Sequence, residues 1–248
     1  MIIVGDIGNS ETKIYLIDSR NKVVKKISLN SKKINHTLIK KKFLIFNLKN
    51  IIIDKCLFCS VVPKIFDNIN FFLKKYYKIK CHELKKLKLN LLLDIKVNYK
   101  QIGSDRLANA IGAINNKDNF IILDFGTATT FDVLVKNIYL GGVIAPGVNL
   151  SLNTLSDKAT LIPKINLKKT NKVIGLNTIS AVRSGFFWGY AGLIDNVVNL
   201  IKKETKKSFK IIITGGFSHL FKNSIKTKVF INKDLTIKGL IKASNLIK

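Results

Sequence analysis

The sequence is poor in cysteine, proline and long apolar stretches. Three cysteines and three prolines in 248 residues exclude a disulfide-stapled scaffold and a proline-rich disordered chain. No run of 18 or more apolar residues occurs, and the first strand pattern starts at Ile2 without a basic leader. We therefore expect a cytoplasmic protein with no membrane partner. Apolar residues make up 47% of the chain, enough for one large or two modest cores.

Arginine and acidic residues are also scarce. The chain carries 43 Lys and Arg against 15 Asp and Glu, a formal net charge of +28, yet its only arginines are Arg20, Arg106 and Arg183. Because arginine suits bidentate contact with phosphate and guanine, the scattered lysines indicate compositional bias more than a nucleic-acid surface. We expect no specific nucleic-acid partner. A basic, non-catalytic protein that binds nucleic acid stays open as the alternative.

The cysteines are Cys56, Cys59 and Cys81, and with His82 they offer four nominal zinc ligands. Residues 51–62 read as a buried strand, in which side chains three positions apart point to opposite faces. Cys56 and Cys59 therefore cannot reach one metal ion from that strand. We expect buried free thiols.

Apolar periodicity and turn residues predict an alternation of strands and helices. Strands are predicted at 2–6, 12–18, 23–29, 51–62, 79–82, 120–124, 129–136, 138–144 and 211–213. Helices are predicted at 35–47, from Pro63 to about 77, at 104–116 and at 178–204. Residues 85–100 have no clear period, and the sequence predicts at most short strands there.

Two segments of the chain open in the same way. Asp6, Gly8 and the threonine six residues after the aspartate recur as Asp124, Gly126 and Thr130, nearly half a chain later. Such a repeat predicts a duplicated unit. We expect an α/β protein of two lobes with a central cleft, divided into domains at 1–117 and 118–248.

Each opening places a glycine in a tight turn directly after a strand that ends in aspartate. Glycine lets the backbone come close to a phosphate, and neighbouring hydroxyl and amide side chains offer hydrogen bonds. One such hairpin alone is more often a structural turn, but two in register favour phosphate binding. Thr214-Gly215-Gly216 follows a third strand, and no G-x-x-x-x-G-K-[ST] loop is present.

The tetrapeptide Gly103-Ser104-Asp105-Arg106 stands at a predicted helix start. An acid that accepts a hydroxyl proton, next to a guanidinium that binds an anion, suits phosphoryl transfer to a small hydroxy acid. The alternative is a capped helix in which Asp105 favours the helix dipole and Arg106 is a surface charge.

Five segments, in this order, resemble the motif set of type III pantothenate kinases: DIGNS (6–10), GSDRLAN (103–109), DFGTATTFD (124–132), GGVIAPG (141–147) and TGG (214–216). The resemblance covers nearly the whole chain. It implies two ribonuclease-H-like lobes of the actin-like ATPase, acetate and sugar kinase superfamily. It further implies ATP-dependent phosphorylation of pantothenate, the first step of coenzyme A synthesis, by a homodimer that needs Mg²⁺ and a monovalent cation such as K⁺ or NH₄⁺.

Site residues follow from the resemblance, motif by motif. It implies that Asp105 is the general base and that Asp124 binds the monovalent cation. The implied ATP-binding residues are Asp6, Ile7, Gly8, Asn9, Ser10, Glu11, Thr12, Lys13 and Thr127. The implied pantothenate-binding residues are Tyr99, Gly103, Ser104, Asp105, Arg106 and Thr178.

The chain departs from the family pattern in two ways. The stretch from Tyr99 to Gly103 is a few residues shorter than the usual spacing, and the lysine content is unusual. Some family-like proteins are transcriptional accessory factors, so a non-catalytic regulatory protein remains the alternative function. A related kinase or phosphatase that acts on another small molecule is a more distant one.

The predicted helix at 178–204 carries three glycines on one side, Gly185, Gly189 and Gly192. Such a strip permits close approach of another element, and each glycine costs a helix about 0.8–1.0 kcal/mol relative to alanine. Four aromatic residues flank the strip: Phe186, Phe187, Trp188 and Tyr190. We expect the helix to be the dimer contact, with burial between the two lobes of one chain as the alternative.

Overall fold

Strands and helices alternate along the chain. The computed structural model describes residues 1–48 and 51–247. The strands are β1 (Ile2–Ile7), β2 (Glu11–Ile17), β3 (Val23–Asn30), β4 (Lys55–Ser60), β5 (His82–Glu83), β6 (Asp94–Ile95), β7 (Asn119–Phe125), β8 (Ala128–Val135), β9 (Ile138–Pro146), β10 (Lys210–Gly215) and β11 (Val229–Ile231). The helices are α1 (His36–Phe43), α2 (Pro63–Tyr77), α3 (Ser104–Ala113), α4 (Val148–Lys158), α5 (Thr178–Thr205), α6 (Ser218–Phe221) and α7 (Leu235–Ser244). Across the described residues, no helix is both long enough and apolar enough to cross a membrane.

The first compact unit consists of residues 1–113 and the C-terminal segment from Asp234. Its sheet has the strand order β3-β2-β1-β4-β5. The first three strands form an antiparallel meander, whereas β4 and β5 add in parallel. The register places Asp6, near the end of β1, between Lys13 on β2 and Cys59 on β4.

The second compact unit spans Ile114–Lys233 and repeats this topology. From the meander edge its strands run β9-β8-β7-β10-β11, again with an antiparallel meander followed by two parallel strands. The register places Asp124 between Thr130 on β8 and Thr214 on β10. The duplication predicted from the two openings is thus present in the strand order. The domain ranges 1–117 and 118–248 stay a prediction, because the two compact units do not show which segments fold by themselves.

The two hairpins differ by one residue in register. Thr12 pairs with Ile7, whereas Thr130 pairs with Asp124, although both threonines follow their aspartates at the same spacing. The first hairpin has a longer loop between its strands, and this loop accounts for the shift. The repeat in the sequence therefore does not align the two hairpins residue for residue.

Alternate residues of each sheet form a core with the helices, as the two-residue period of a strand requires. In the first unit, Ile3, Ile7, Ile14 and Leu16 pack in one cluster with aromatic side chains of α1 and α2. In the second unit, strand residues pack with one face of α5. Burial of such side chains supplies about 1.5–3 kcal/mol each before the loss of conformational entropy is counted.

Helices α3 and α7 of the first unit meet almost backbone to backbone. A Cβ atom at Gly239 would collide with the carbonyl oxygen of Ala108, and one at Gly112 would collide with that of Leu235. Thr236 Oγ1 also donates to Asn109 Oδ1 across the same contact, at 2.7 Å. The C-terminal helix therefore fixes the helix that starts with Ser104 and Asp105.

Most predicted elements are confirmed with shifted ends, and α2 matches its predicted range. The predicted strand at 51–62 is too long, since β4 covers only Lys55–Ser60. The predicted helix at 35–47 ends at Phe43 and continues as a single 3₁₀ turn. The sequence interpretation omitted α4, α6, β11 and α7, because these elements are short or have weak patterns.

The buried free thiols are confirmed. Cys56, Cys59 and Cys81 are all buried and free. On β4 the two cysteines point to opposite faces: the Sγ atom of Cys56 lies 3.2 Å from that of Cys81, and the Sγ atom of Cys59 lies 3.4 Å from Asp6 Oδ1. This placement is the one predicted by the strand period.

Candidate active site

The hairpin between β1 and β2 presents part of the predicted ATP-binding segment. Asn9, Ser10 and Glu11 are exposed at its tip, whereas Ile7 and Thr12 are buried. The turn closes by a bond from the Gly8 amide to the Glu11 carbonyl oxygen at 3.0 Å. The Gly8 carbonyl accepts a bond from Ser31 Oγ at 2.6 Å.

Thr12 contacts the same serine, and not the tip of the hairpin. Its hydroxyl lies 2.9 Å from Ser31 Oγ in a buried pair, and the Ser31 amide donates to the Ser10 carbonyl oxygen at 3.0 Å. Ser31, the first residue of the 3₁₀ turn that follows β3, therefore holds the loop in place. We assign Thr12 a role in supporting the loop, next to the exposed residues that are available to a ligand.

Asp6 is partly buried at the base of this hairpin, close to Asp105. Burial, followed by the negative charge of Asp105, raises the pKa of Asp6 to about 6, and the Cys59 thiol and Lys13 act in the opposite direction. Burial also raises the pKa of Asp105, which the amide of Arg106 partly offsets. The fold thus brings together two carboxylates that are almost a hundred residues apart in the sequence.

Asp105 lies in the first turn of α3, folded back over Gly103. Its Oδ1 accepts a bond from the Arg106 amide at 2.8 Å, and a Cβ atom at Gly103 would collide with the same oxygen. The preceding Ser104 is buried and donates from Oγ to Glu83 Oε1 at 2.6 Å. Glycine at 103 is therefore required for the position of the Asp105 carboxylate.

Tyr99 begins a 3₁₀ turn (Tyr99–Gln101) just before this helix. Its hydroxyl donates to the carbonyl oxygen of Lys85 at 2.7 Å. The Lys85 ammonium lies 5.3 Å from the centre of the Tyr99 ring. Burial, followed by the charge of Glu83, raises the pKa of Tyr99. The Tyr99 hydroxyl thus donates its hydrogen bond to the main chain of its own unit.

The second unit carries the other predicted hairpin. Asp124 is partly buried, and a Cβ atom at Gly215 would collide with the Asp124 carboxylate and the Phe125 backbone. Gly215 has a φ of 83°, a conformation that favours glycine. Gly147, just before α4, would collide with the carbonyl oxygens of the exposed Thr127 and of Gly126 if it had a side chain. Glycines on two neighbouring segments thus line this hairpin.

Thr178 is the first residue of α5 and is exposed. Asn177 and Ser180 cap the helix start reciprocally, with the Ser180 amide donating to Asn177 Oδ1 at 2.9 Å. Gly175 lies so close to Ala181 that no side chain fits there. The local backbone therefore holds Thr178 at a well-capped helix terminus.

Sequence reasoning missed four residues around the site in the first unit: Ser31, Cys59, Glu83 and Lys85. Each contacts a predicted site residue from a distant segment. Only Cys59 carried a usable signal, since it lies in a segment that was itself predicted as a buried strand. The other three contacts depend on strand order and on loops without periodicity.

The aromatic residues of α5 pack within the second unit, and the dimer contact stays a prediction. Phe187 and Tyr190 belong to the core of the second unit, and Phe186 and Trp188 pack against it. All four side chains are thus used within one chain. The three glycines of α5 face open space, because a Cβ atom at each would meet nothing within 4 Å.

Within the part of the chain that the structure describes, no group of three or more His, Cys, Asp and Glu side chains could hold a metal ion. The close Asp6 and Asp105 carboxylates are a smaller donor set. A Mg²⁺ ion that keeps several waters and binds phosphates needs only one or two carboxylates, so this pair fits such an ion.

Comparison with known proteins agrees with the resemblance. A family model described as type III pantothenate kinase matches residues 2–200. A type III pantothenate kinase of Pelagibacter ubique is 77% identical over 248 residues, which cover 100% of both chains.

Solved structures share the fold at low identity. A conserved Baf family protein of Campylobacter jejuni, for which a role as transcriptional activator has been suggested, has a TM-score of 0.61 and 21% identity, with 98% of this chain and 96% of that chain covered. A ROK family glucokinase of Streptomyces griseus has a TM-score of 0.57 and 11% identity, with 99% of this chain and 98% of that chain covered. The two-lobed α/β fold predicted from the sequence is confirmed.

Proposed function

The chain belongs to the type III pantothenate kinase family, and from this premise we propose that it transfers the γ-phosphoryl group of ATP to pantothenate. The product is 4′-phosphopantothenate, and the reaction is the first step of coenzyme A biosynthesis. The observation that supports this assignment most is the Asp105 carboxylate, held at the start of α3 beside Asp6 and Arg106.

Asp105 acts as the general base in this proposal. Burial raises the pKa of its carboxyl group, which makes the carboxylate a better proton acceptor than that of an exposed aspartate. The proton of the pantothenate hydroxyl moves to a carboxylate oxygen of Asp105 as that hydroxyl oxygen attacks the γ-phosphorus. The bond between the γ-phosphorus and the β,γ-bridging oxygen breaks, and ADP leaves with that oxygen. Arg106 pairs with the pantothenate carboxylate, and Gly103, Ser104, Tyr99 and Thr178 complete the proposed substrate site.

The hairpin from Asp6 to Lys13 holds the ATP phosphates. The exposed tip offers backbone amides and the Asn9 and Ser10 side chains, and Lys13 adds a positive charge near Asp6. When bound, Mg²⁺ neutralises charge on the transferring phosphates. Asp6 is the group in this unit that would hold it.

The second unit supplies the remaining nucleotide and cation contacts. Thr127 contacts ATP, and the glycines at 147 and 215 let the backbone approach it closely. Asp124 holds a monovalent cation, K⁺ or NH₄⁺. We further propose that the enzyme acts in the cytoplasm as a homodimer, without a membrane or specific nucleic-acid partner.

A coupled assay of ADP release tests the function directly. We expect ADP release to depend on pantothenate, and the product to gain the mass of one phosphoryl group. Omission of pantothenate is the control for background ATPase activity. Equal ADP release with and without pantothenate would remove the proposed function, and sub-micromolar, sequence-selective DNA binding would favour the regulatory alternative.

A further inference from the structure

Lys85 differs from the surrounding lysines in what its ammonium group contacts. Its Nζ donates to the carbonyl oxygen of Ile102 at 2.9 Å and to that of Lys100 at 3.1 Å. The same ammonium lies 5.3 Å from the centre of the Tyr99 ring, a distance at which cation–π attraction acts. Its neighbour Lys86 is exposed.

The backbone of Lys85 also takes part in the contact between residues 83–85 and residues 99–104. Its carbonyl oxygen accepts the Tyr99 hydroxyl at 2.7 Å, and its amide donates to Glu83 Oε2 at 2.8 Å. The other carboxylate oxygen of Glu83 accepts a bond from Ser104 Oγ at 2.6 Å. Residues 83–85 therefore contact residues 99–104 through both side chains and main chain.

The loop at 99–103 leads directly into the helix turn that carries Asp105 and Arg106. It consists of one 3₁₀ turn followed by Ile102 and Gly103, and the carbonyl groups at 100 and 102 point to the Lys85 ammonium. A lysine ammonium has three donors on a flexible stem, so one side chain can satisfy both carbonyl groups. Without it, these two carbonyl groups lose a charged partner.

We propose that Lys85 is a positioning residue that fixes the loop at 99–103 and, through that loop, the pantothenate-binding start of α3. The proposal rests on the function proposed above. The Tyr99 hydroxyl holds the loop against the Lys85 carbonyl oxygen, and the Tyr99 ring contacts the Lys85 ammonium. Lys85 thereby sets the affinity for pantothenate without touching the reacting atoms.

The test compares Lys85→Met with Lys86→Met in the full-length enzyme. The methionine keeps the apolar stem and removes the ammonium, and Lys86→Met removes an exposed charge one residue away. We expect Lys85→Met to raise the KM for pantothenate about tenfold, as loss of hydrogen bonds from a charged donor would, while the KM for ATP changes less than about twofold. Lys86→Met should leave both values unchanged.

Amide hydrogen exchange gives a readout that does not need activity. We expect exchange at residues 99–107 to be faster in Lys85→Met than in the parent and in Lys86→Met, with exchange of β1 and β7 unchanged. Tyr99→Phe, which keeps the ring and removes the hydroxyl bond, should show a smaller increase in the same segment. Lys85→Arg, which retains a charged donor, should restore part of the protection and of the affinity.

The outcomes separate this inference from the proposed function. A parent enzyme without pantothenate-dependent turnover contradicts the function, and the exchange data still decide whether Lys85 holds the loop. An active parent whose Lys85→Met variant matches Lys86→Met in KM and in exchange overturns the inference. If Lys85→Met fails to fold, Tyr99→Phe and Lys85→Arg supply the comparison, and exchange at residues 99–107 of Tyr99→Phe that matches the parent overturns the inference.

Discussion

The two units share one strand order but differ in what surrounds the aspartate at the end of their first strand. Asp6 lies between Lys13 and Cys59, with a second carboxylate, Asp105, nearby. Asp124 lies between two neutral threonines. The same topology therefore supplies a charged, partly desolvated site in one unit and a hydroxyl-rich site in the other.

The strands that follow in parallel continue this difference. After β4 the chain passes through two valines to Pro63, which starts a helix of 15 residues. Strand β10 ends at Gly215, and Gly216 and Phe217 lead into a helix of four residues. Valine side chains follow the strand in the first unit, whereas glycine backbone packs against Asp124 and Phe125 in the second. The two units thus differ in the residues at their strand ends, although their strand order is the same.

The largest expected effect is the loss of turnover in Asp105→Asn. The amide cannot accept the hydroxyl proton, so we expect kcat to fall on the order of 10²- to 10⁴-fold. Asp67→Asn, on the exposed side of α2, is the matched control and should retain parent activity. Activity of Asp105→Asn within threefold of the parent would remove Asp105 from the role of base.

The next effect concerns stability, because the charge at Asp6 is disfavoured in the folded state. Well below pH 4 the carboxyl group is protonated in both the folded and the unfolded state and carries no cost. As pH rises to the folded pKa of about 6, the unfolded state loses its proton first and the folded state loses stability. We therefore expect Asp6→Asn to stabilise the protein by about 2–3 kcal/mol at pH 8 and by little at pH 4.

Denaturant unfolding in EDTA at both pH values measures this difference without bound Mg²⁺. Asp67→Asn, at an exposed position of α2, again serves as the control for the substitution itself. A gain at pH 4 as large as that at pH 8 would show that packing, and not the charge, limits stability at Asp6.

Gly215, the last residue of β10, and Gly216, which follows it, offer a comparison within the second unit. Gly215→Ala places a side chain at a φ of 83° and against the Asp124 carboxylate, so we expect a loss of about 1–3 kcal/mol. Gly216→Ala should be nearly neutral, since its Cβ would come no closer than 4.0 Å to Phe125 O. Equal stabilities of the two variants in thermal unfolding would contradict the requirement for glycine at 215.

A smaller effect is expected from the cation at Asp124. If Asp124 holds a monovalent cation, activity should rise a few-fold when K⁺ replaces Na⁺ at fixed ionic strength, and Asp124→Asn should blunt that response. Asp6 lies in the other unit, so the response to Mg²⁺ should persist in the Asp124→Asn variant, measured as the Mg²⁺ concentration for half-maximal rate. Equal rates of the parent in both salts would contradict the cation role.

The smallest effect on the folded chain is expected at the glycine strip of α5. This helix is the counterpart of α1 in strand order but has 28 residues against eight, and Gly189 faces open space. We expect Gly189→Leu to leave the midpoint of thermal unfolding unchanged and to convert the dimer into a monomer, as measured by light scattering. Leu200→Ala, at another exposed position of α5, is the control. A parent that scatters as a single chain at micromolar concentration would contradict the dimer.

The sequence by itself determined the local parts of this protein. Apolar period and turn residues located β1, β2, α2 and α5, because these features depend on neighbouring residues. The repeated Asp and Gly positions indicated the duplication, and Gly103–Arg106 indicated a helix start with an acid and a guanidinium. Short elements such as α7 and β11 lacked enough pattern to be recognised.

Only the tertiary structure decided which distant groups meet. The parallel register of β1 and β4 places Cys59 beside Asp6, and the packing of α3 brings Asp105 to the same carboxylate. Lys85 meets the loop at 99–103 through main-chain carbonyl groups, which every residue possesses and no side-chain pattern reveals. The one-residue shift between the hairpins follows from loop length and backbone pairing. These contacts depend on strand order and close packing, which bring together groups far apart in the chain.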